Sequence, residues 1–376
     1  SELFLRLIDA IREQNPTCEC FCVGDDWQAI NGFAGSDLHY YESFEKFFSP
    51  SRRLSIATNY RSASGIVELG NALMHGRGER ATAKEGAPTG SIWVADMDAF
   101  APDIGEESYH GGDSITPLLL RIIARCLGAN RNVVVLSRKN TIPYFLGGQM
   151  DRYGNRRGLD GYLAYLRSFF PEEKAGRIML STTHKYKGLQ GDVVIVLDAI
   201  DSCYPLIHPD WFFTRLFGDS IEKLEDEDRR LFYVALTRAV ESLTIVTESS
   251  RRSIFLSEVL EKENIGTIDW SAFPALPVHG ESGVASIRVS TEYGTYVGGT
   301  LAIKDRLKKV GFRWHAGERM WHKDLPLEEL GERWWEDLAD TSWGRAANNV
   351  RVEVFSADGG LLGRFTTITG RWKKIG

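Results

Sequence analysis

The sequence predicts an α/β protein, with a mostly parallel sheet wrapped by helices followed by a smaller α+β module. Three observations carry this. Helical-period segments alternate with short apolar runs over residues 3–246. A stretch at 264–285, punctuated by Pro274, Pro277, Gly280 and Gly283, breaks the periodicity and reads as a linker. Beyond it the composition shifts, because residues 286–376 hold six of the ten Trp: Trp314, Trp321, Trp334, Trp335, Trp343 and Trp372.

The elements follow in order. Leu3, Phe4, Leu7, Ile8 and Ile11 recur at helical spacing, and Pro16 stops that helix. Cys18, Cys20 and Cys22 then alternate along one face of an expected buried strand, 18–23, which ends in Gly24-Asp25-Asp26. Polar groups at the carboxyl end of a parallel strand stand where open α/β sheets present ligands. Further strands are expected at 54–57, 91–95, 132–136, 178–181, 193–197 and 243–246. Residues 76–90, rich in Gly and charge, read as an exposed loop. Leu231, Val234, Ala235 and Ala239 mark a helix face, with Arg238 one turn after Val234.

Composition bounds the function. At 376 residues, 43% hydrophobic and 26% charged, the chain is no disordered tail, fibre or disulfide-stapled miniprotein, and its length suits two or three domains. No apolar run approaches the roughly 20 residues of a membrane span, and SELFLRLIDAI does not read as a secretory leader. Five cysteines without CxxC spacing suggest neither a disulfide framework nor a zinc site, so no metal is expected and a cytoplasmic location is. Of the net charge of -6, residues 286–376 carry +3 and the first 285 residues -9, so a surface for polyanions must be local.

Four segments hold candidate chemistry. VGDDWQAINGFAGSD at 23–37 puts an acid pair and a glutamine in a strand-ending loop that can position a water or a phosphate-linked metal, or is a common Gly-Asp turn. NYRS at 59–62 pairs a ring that can stack on a base with a guanidinium that forks onto phosphate, or is plain surface. STTHKYKGLQGDVVIVLD at 181–198 gathers hydroxyls and cations before a glycine turn, as a phosphate backbone requires, or is a solvated loop feeding a core strand. EDEDRRLFYVALTRAVESLTIV at 225–246 places Arg238 among apolar residues, where it needs an anion; Glu241 or solvent are the alternatives to a ligand.

In this order, the four segments resemble motifs III to VI of the UvrD/Rep/PcrA family of superfamily 1 DNA helicases over roughly residues 1–250, and GDDWQAI is nearest the helicase IV type. The resemblance implies a RecA-like second motor domain (helicase domain 2A) over 51–263 and a remnant of the first (1A) over 1–50. The linker at 264–285 and a basic, Trp-rich module at 286–376 would follow. It implies ATP and Mg2+ clamped between two motor domains that walk 3' to 5' along single-stranded or partly duplex DNA. Gln28 falls on the glutamine that senses the γ-phosphate and attacking water. Tyr60 falls on the adenine-stacking position, and Arg61 and Arg238 on arginines that reach the γ-phosphate. Gln190 stands where the family commonly has a ribose-contacting Glu, after the turn glycine Gly188, and Thr183 and His184 match positions near the DNA backbone. Asn31 and Ala34 replace the usual Tyr and Arg of motif III, leaving Phe33 or Trp27 to supply base stacking.

Nothing in the sequence matches the G-x-G-K-T phosphate loop or the D-E-x-Q metal-binding acids. The resemblance therefore predicts that the chain starts just after motif II, that its partner is a missing amino-terminal helicase half, and that alone it does not hydrolyse ATP. The 120 residues between Arg61 and Thr182 leave little room for the family's large inserted subdomain, and VVVLSRKN at 133–140 fits the strand before it. Outside the resemblance, residues 304–323 carry seven Lys plus Arg against two acids. A helix with Ile303, Leu307 and Val310 inward exposes Lys304 and Lys308, and with Arg313, Trp314 and Trp321 these form the expected nucleic-acid contacts. A non-enzymatic DNA-binding or regulatory protein derived from a helicase is the alternative.

Overall fold

A computed structural model of the chain describes residues 2–32, 35, 37–103, 106–107, 110, 113–140, 159–207, 220–263, 265–276, 284–292, 298–315, 318–326, 330, 333–355, 361–369 and 371–375. The chain divides into two units, Ser1–Ala101 with Leu118–Phe273, and Pro102–Pro117 with Pro274–Gly376. Among the described residues, no helix is long and apolar enough to cross a membrane.

Apart from short helical turns, the elements up to residue 267 are, in chain order, α1 (Glu2–Gln14), β1 (Thr58–Asn59), α2 (Ser64–Leu73), β2 (Thr82–Ala83), β3 (Ser91–Asp96), α3 (Ile115–Gly128), β4 (Val133–Ser137), α4 (Leu159–Arg167), β5 (Ile178–Thr182), β6 (Gly191–Val196), α5 (Ile221–Leu236), β7 (Ala239–Thr247), α6 (Ile254–Leu260) and β8 (Gly266–Thr267). Six strands form one sheet in the order β5-β4-β6-β7-β3-β8, with every neighbouring pair parallel. Val134, Leu136, Val194 and Val196 join one core cluster, while Val133, Val135, Val193 and Ile195, of opposite parity, are buried as well. Apolar runs covered on both faces are what a parallel sheet requires.

Helix α5 starts at Ser220, whose hydroxyl accepts from the Lys223 N–H at 3.3 Å, and sends Leu231, Phe232, Val234 and Ala235 into that cluster. It packs on α2 so closely that a Cβ on Gly70 would lie 2.9 Å from the Tyr233 ring. The helix ends at Leu236, so Ala239 is the first residue of β7 rather than part of the helix face the sequence suggested. The Thr237 hydroxyl donates back to the Tyr233 carbonyl at 2.8 Å, which closes the last turn and sets Arg238 at the helix-to-strand corner.

Two other expectations are corrected. Residues 18–23 form no strand, and Cys18, Cys20, Cys22, Phe21 and Val23 are exposed, because no described strand lies beside them to satisfy their backbone groups. Residues 54–57 likewise form no strand and are exposed, and pairing there is limited to β1 with β2 among the described residues. Helix α1 forms as expected but buries none of its residues, leaving Leu3, Phe4, Leu7 and Ile11 in solvent. Part of the expected linker is also structured: β8 adds to the sheet edge, and Trp270 packs edge-on against Phe100 at 4.7 Å.

The second unit contains β9 (Val284–Thr291), α7 (Thr300–Lys309), β10 (Arg313–His315), β11 (Met320–Pro326), α8 (Trp334–Asp340), β12 (Val350–Phe355), β13 (Leu361–Ile368) and β14 (Arg371–Lys374). Its sheet runs β10-β11-β9-β12-β13-β14, all antiparallel. Ile303 and Leu307 of α7 meet Ile287, Val289, Trp321, Trp343 and Val352 in the core. Strict alternation of burial along β12 is the mark of a sheet with one face inward.

Phe232 is fully buried, with Tyr204 at 4.8 Å and Phe255 at 6.4 Å between ring centroids. Phe232→Ala should lower the unfolding free energy by about 3–5 kcal/mol and Phe232→Leu by less than about 1.5 kcal/mol, read from urea titrations.

Candidate functional site

Three distant segments are stitched together at the start of β7. The Asn59 side-chain oxygen accepts from the N–H groups of Arg61 (2.9 Å) and Ser62 (3.0 Å), which folds NYRS into a tight turn. The Ser62 hydroxyl donates to the Ala239 carbonyl at 2.7 Å and the Ala63 N–H to the Val240 carbonyl at 2.8 Å, so this turn is pinned beside Arg238. From the other side the Gly191 N–H donates to the Arg238 carbonyl at 3.0 Å, and the Tyr186 hydroxyl to the Gln190 carbonyl at 2.7 Å. The loop between them turns at Gly188, whose φ of +90° favours glycine although a Cβ there would meet nothing within 4 Å.

Arg238 is fully buried. Its guanidinium donates to the carbonyls of Val234 (3.1 Å) and Leu189 (3.2 Å) and to the Gln28 side-chain oxygen (3.3 Å). Among the described residues no carboxylate lies within ion-pair distance of it, and Glu241, a partner the sequence offered, pairs with Arg131 instead at 2.9 Å. The Gln28 amide nitrogen in turn donates to Asp25 at 2.5 Å, so one neutral side chain spans a carboxylate and a guanidinium. Burial, and then the charge of Arg61, push the Arg238 pKa down to about 10, which still leaves it charged at neutral pH. Arg61 donates to the Gln190 side-chain oxygen at 3.0 Å and to the Thr237 carbonyl at 3.4 Å. Burial, and then Asp25, raise Tyr233 to about 12. Two guanidinium groups are thus held near each other by neutral oxygens, an arrangement that an arriving anion relieves.

The other sequence candidates fall in several places. Tyr60, at 73% exposed, offers its ring to solvent. Gln190 is engaged with Arg61, and the Lys187 ammonium donates to the Gln28 carbonyl at 2.8 Å, tying the glycine-turn loop to the 25–28 loop. Phe33 and Ala34 lie outside the described residues. Trp27 cannot stack on a base: it is buried edge-on against Tyr233 at 5.1 Å, with its indole N–H on the Arg77 carbonyl. Thr183 is fully buried with its hydroxyl 3.2 Å from that of Tyr204, so it faces the interior rather than a strand of DNA. His184 is half-buried, and its pKa is lowered by burial and then by Arg138. In the second unit Lys308 is exposed, Lys304 half-buried and Trp314 38% exposed. Trp321 belongs to the core, because its side of β11 faces α7. Arg313 lies near half-buried His110, whose pKa burial and then the Arg313 charge push down to about 4. Strand alternation sets Arg313 and Trp314 on opposite faces, so the five predicted contacts do not form one surface.

Sequence reasoning missed a second polar cluster at the carboxyl ends of β4 and β6. Arg138 forms an ion pair with Asp228 of α5 at 2.9 Å, with both side chains largely buried, and the Leu206 N–H also donates to Asp228. Asp198 follows β6 with φ +56°, and burial raises its pKa to about 6 against the opposing charge of Lys139. The signal was available, since charges directly after apolar parallel strands stand on the ligand edge of such sheets.

Residues 163–250 match the model of the UvrD-like helicase C-terminal domain. This part of the chain is similar to the C-terminal domain of UvrD-like helicases. The matched stretch runs from within α4 to just past β7 and includes Thr183, His184, Gly188, Gln190 and Arg238, whereas Gln28, Tyr60 and Arg61 precede it. DNA helicase IV of Escherichia coli is 26% identical over 236 residues, 62% of this chain and 30% of the relative. A probable DNA helicase of Mycoplasma pneumoniae is 25% identical over 254 residues, 66% of this chain and 43% of the relative. The ATP-dependent DNA helicase PcrA of Staphylococcus epidermidis is 27% identical over 153 residues, 39% of this chain and 21% of the relative. The matched region thus spans less than half the length of each of these relatives.

A carboxyl raised from 3.8 to about 6 holds its proton more tightly in the folded state. The stability this contributes is fully present below pH 3.8 and is lost as the pH rises through about 6. Asp198→Asn, which tolerates the same φ, should therefore leave stability unchanged at pH 3.5 and raise it at pH 8 by at most about 3 kcal/mol. Urea titrations at the two pH values check this.

Proposed function

We propose that this chain is the carboxyl-terminal part of an ATP-dependent DNA helicase or translocase of the UvrD type, with residues 51–263 as its second RecA-like motor domain and residues 1–50 as a piece of the first. The reading rests on one observation above the rest, a fully buried Arg238 whose bonds go to neutral oxygens, with Arg61 close enough to depress its pKa. Such a pair fits the terminal phosphate of a nucleoside triphosphate, whose transferring group spreads negative charge over its oxygens. Arg61 and Arg238 then stabilise that charge, Gln28 orients the attacking water, Tyr60 stacks on the base, and Gln190 with the Gly188 turn shapes the wall on the sugar side. His184 and the half-buried groups around it stand toward the DNA backbone.

The residues present fit the terminal-phosphate end of a nucleotide. A phosphate loop and magnesium ligands would come from sequence outside these 376 residues, and among the described residues no group of three or more His, Cys, Asp and Glu is placed to hold a metal. The protein works in this reading in the cytoplasm on single-stranded or partly duplex DNA, moving 3' to 5'. Residues 18–23 and 54–57 are exposed with no strand beside them among the described residues, which supports placing them at the edge of a domain completed by further sequence.

In a chain that includes the phosphate loop, Arg238→Ala should lower ATP turnover by about 10³-fold or more while DNA affinity stays within about threefold. Near-normal turnover would remove the basis for the reading. The 376 residues alone should hydrolyse ATP no faster than background with or without oligonucleotide, and DNA-stimulated turnover by them would show that the phosphate cradle had been misplaced.

A further inference from the structure

The last strand of the second unit is open for pairing. In the sheet β10-β11-β9-β12-β13-β14, β14 has β13 as its one neighbour among the described residues. The register pairs Lys374 with Phe365, and just past the strand the Ile375 N–H donates to the Arg364 carbonyl at 2.8 Å. In an antiparallel ladder the bonds to one neighbour come from every second residue, so Arg371, Lys373 and Ile375 turn their backbone groups to β13. Trp372 and Lys374 therefore present their N–H and C=O groups to the open side.

Alternation sorts the side chains of this edge. The Trp372 ring turns inward, where it packs on Trp343 at 5.6 Å and on Phe365 at 5.8 Å, and its indole N–H donates to the Gly344 carbonyl at 3.2 Å. Arg371, Lys373 and Ile375 accordingly lie on the outer face, beside Ile368, Thr366 and Arg364 of β13. The aliphatic side chains of Leu362, Ile368 and Ile375 are exposed there. Residues 361–375 contain four Lys plus Arg and no Asp or Glu. Arg364 is matched by Glu353 of β12 at 2.6 Å, whereas Arg371, Lys373 and Lys374 are exposed and form no ion pair among the described residues. Three cations are left without a counter-charge.

We propose that the β14 edge binds an acidic peptide in extended conformation, which joins the sheet as a further strand. The open backbone groups supply the ladder bonds, Arg371 and Lys373 select acidic side chains, and Ile368 and Ile375 offer apolar surface to cover. A second copy of the chain is disfavoured, because two antiparallel β14 strands would bring their own cations together. A nucleic acid has no backbone that answers alternating N–H and C=O groups, and the ring of this strand is committed to the core rather than open to a base. A lipid surface would leave the same backbone groups unsatisfied. The inference stands apart from the motor reading, since it uses no residue of the nucleotide site.

The test uses the whole chain and a fluorescein-labelled peptide of about ten residues alternating Glu and Val, followed by anisotropy. The peptide should bind, and the same peptide N-methylated throughout should bind at least about tenfold more weakly, because it cannot complete the ladder. Lys374→Pro removes an N–H that points away from β13, and should weaken binding by about tenfold or more while Lys374→Gln stays within about threefold. Reversing the outer cations (Arg371→Glu with Lys373→Glu) should also weaken it by about tenfold. Reversing two exposed lysines of the first unit (Lys84→Glu with Lys174→Glu) should change nothing, with thermal melting confirming that each variant folds. Equal binding of the methylated peptide, unchanged affinity after the reversal at Arg371 and Lys373, or displacement of the peptide by oligothymidylate or by anionic vesicles would each overturn the proposal. So would self-association that Lys374→Pro abolishes, which would give the edge to a second copy. None of these outcomes bears on Arg238.

Discussion

The cluster around Arg238 depends on two short bonds to the first residues of β7, from the Ser62 hydroxyl to Ala239 and from the Ala63 N–H to Val240. They bring a turn 176 positions away to the corner where α5 becomes β7, and so set Arg61 and Arg238 side by side. The corner is itself dictated locally. The Thr237 hydroxyl closes the helix on Tyr233, the strand begins at Ala239, and the Arg238 side chain between them runs back along α5 and under the Gly188 turn. Because the buried guanidinium is fed by carbonyl and amide oxygens alone, the site keeps its charge available to a ligand rather than spending it on an internal carboxylate.

Most of the first unit could be read from periodicity, and the reasons are physical. Strands β4, β6 and the second half of β7 are apolar runs rich in β-branched residues that a sheet covered on both sides demands, so their residues announce themselves. Helix α1 was legible for the same kind of reason, although burial did not follow. Residues 18–23 and 54–57 misled because alternation reports a preference for pairing and says nothing of whether a neighbour exists. Ala239 misled because apolar spacing continues smoothly from helix into strand, and the break at Leu236 is set by one hydroxyl.

At the site, residue types were legible and their geometry was not. NYRS and VALTRA named Arg61 and Arg238, yet only the fold shows that Gln28 bridges Asp25 to Arg238 and that Gln190 is held by Arg61. Thr183 and Trp321 were misjudged for a shared reason: a polar or amphipathic side chain in a suggestive motif can still be consumed by an interior partner, Tyr204 in one case and the α7 core in the other. Arg138, Asp198 and Asp228 went unnoticed because their grouping arises from two strand ends and a helix meeting in space.

Helix α1 leaves Leu3, Phe4, Leu7 and Ile11 uncovered, and Phe21, Val23, Leu54 and Ile56 add to the wetted apolar area. Patches of this kind recruit one another in proportion to how crowded the sample is. A solution of this polypeptide should therefore change its apparent particle size with dilution, and a single sedimentation or light-scattering measurement would describe the vial rather than the molecule.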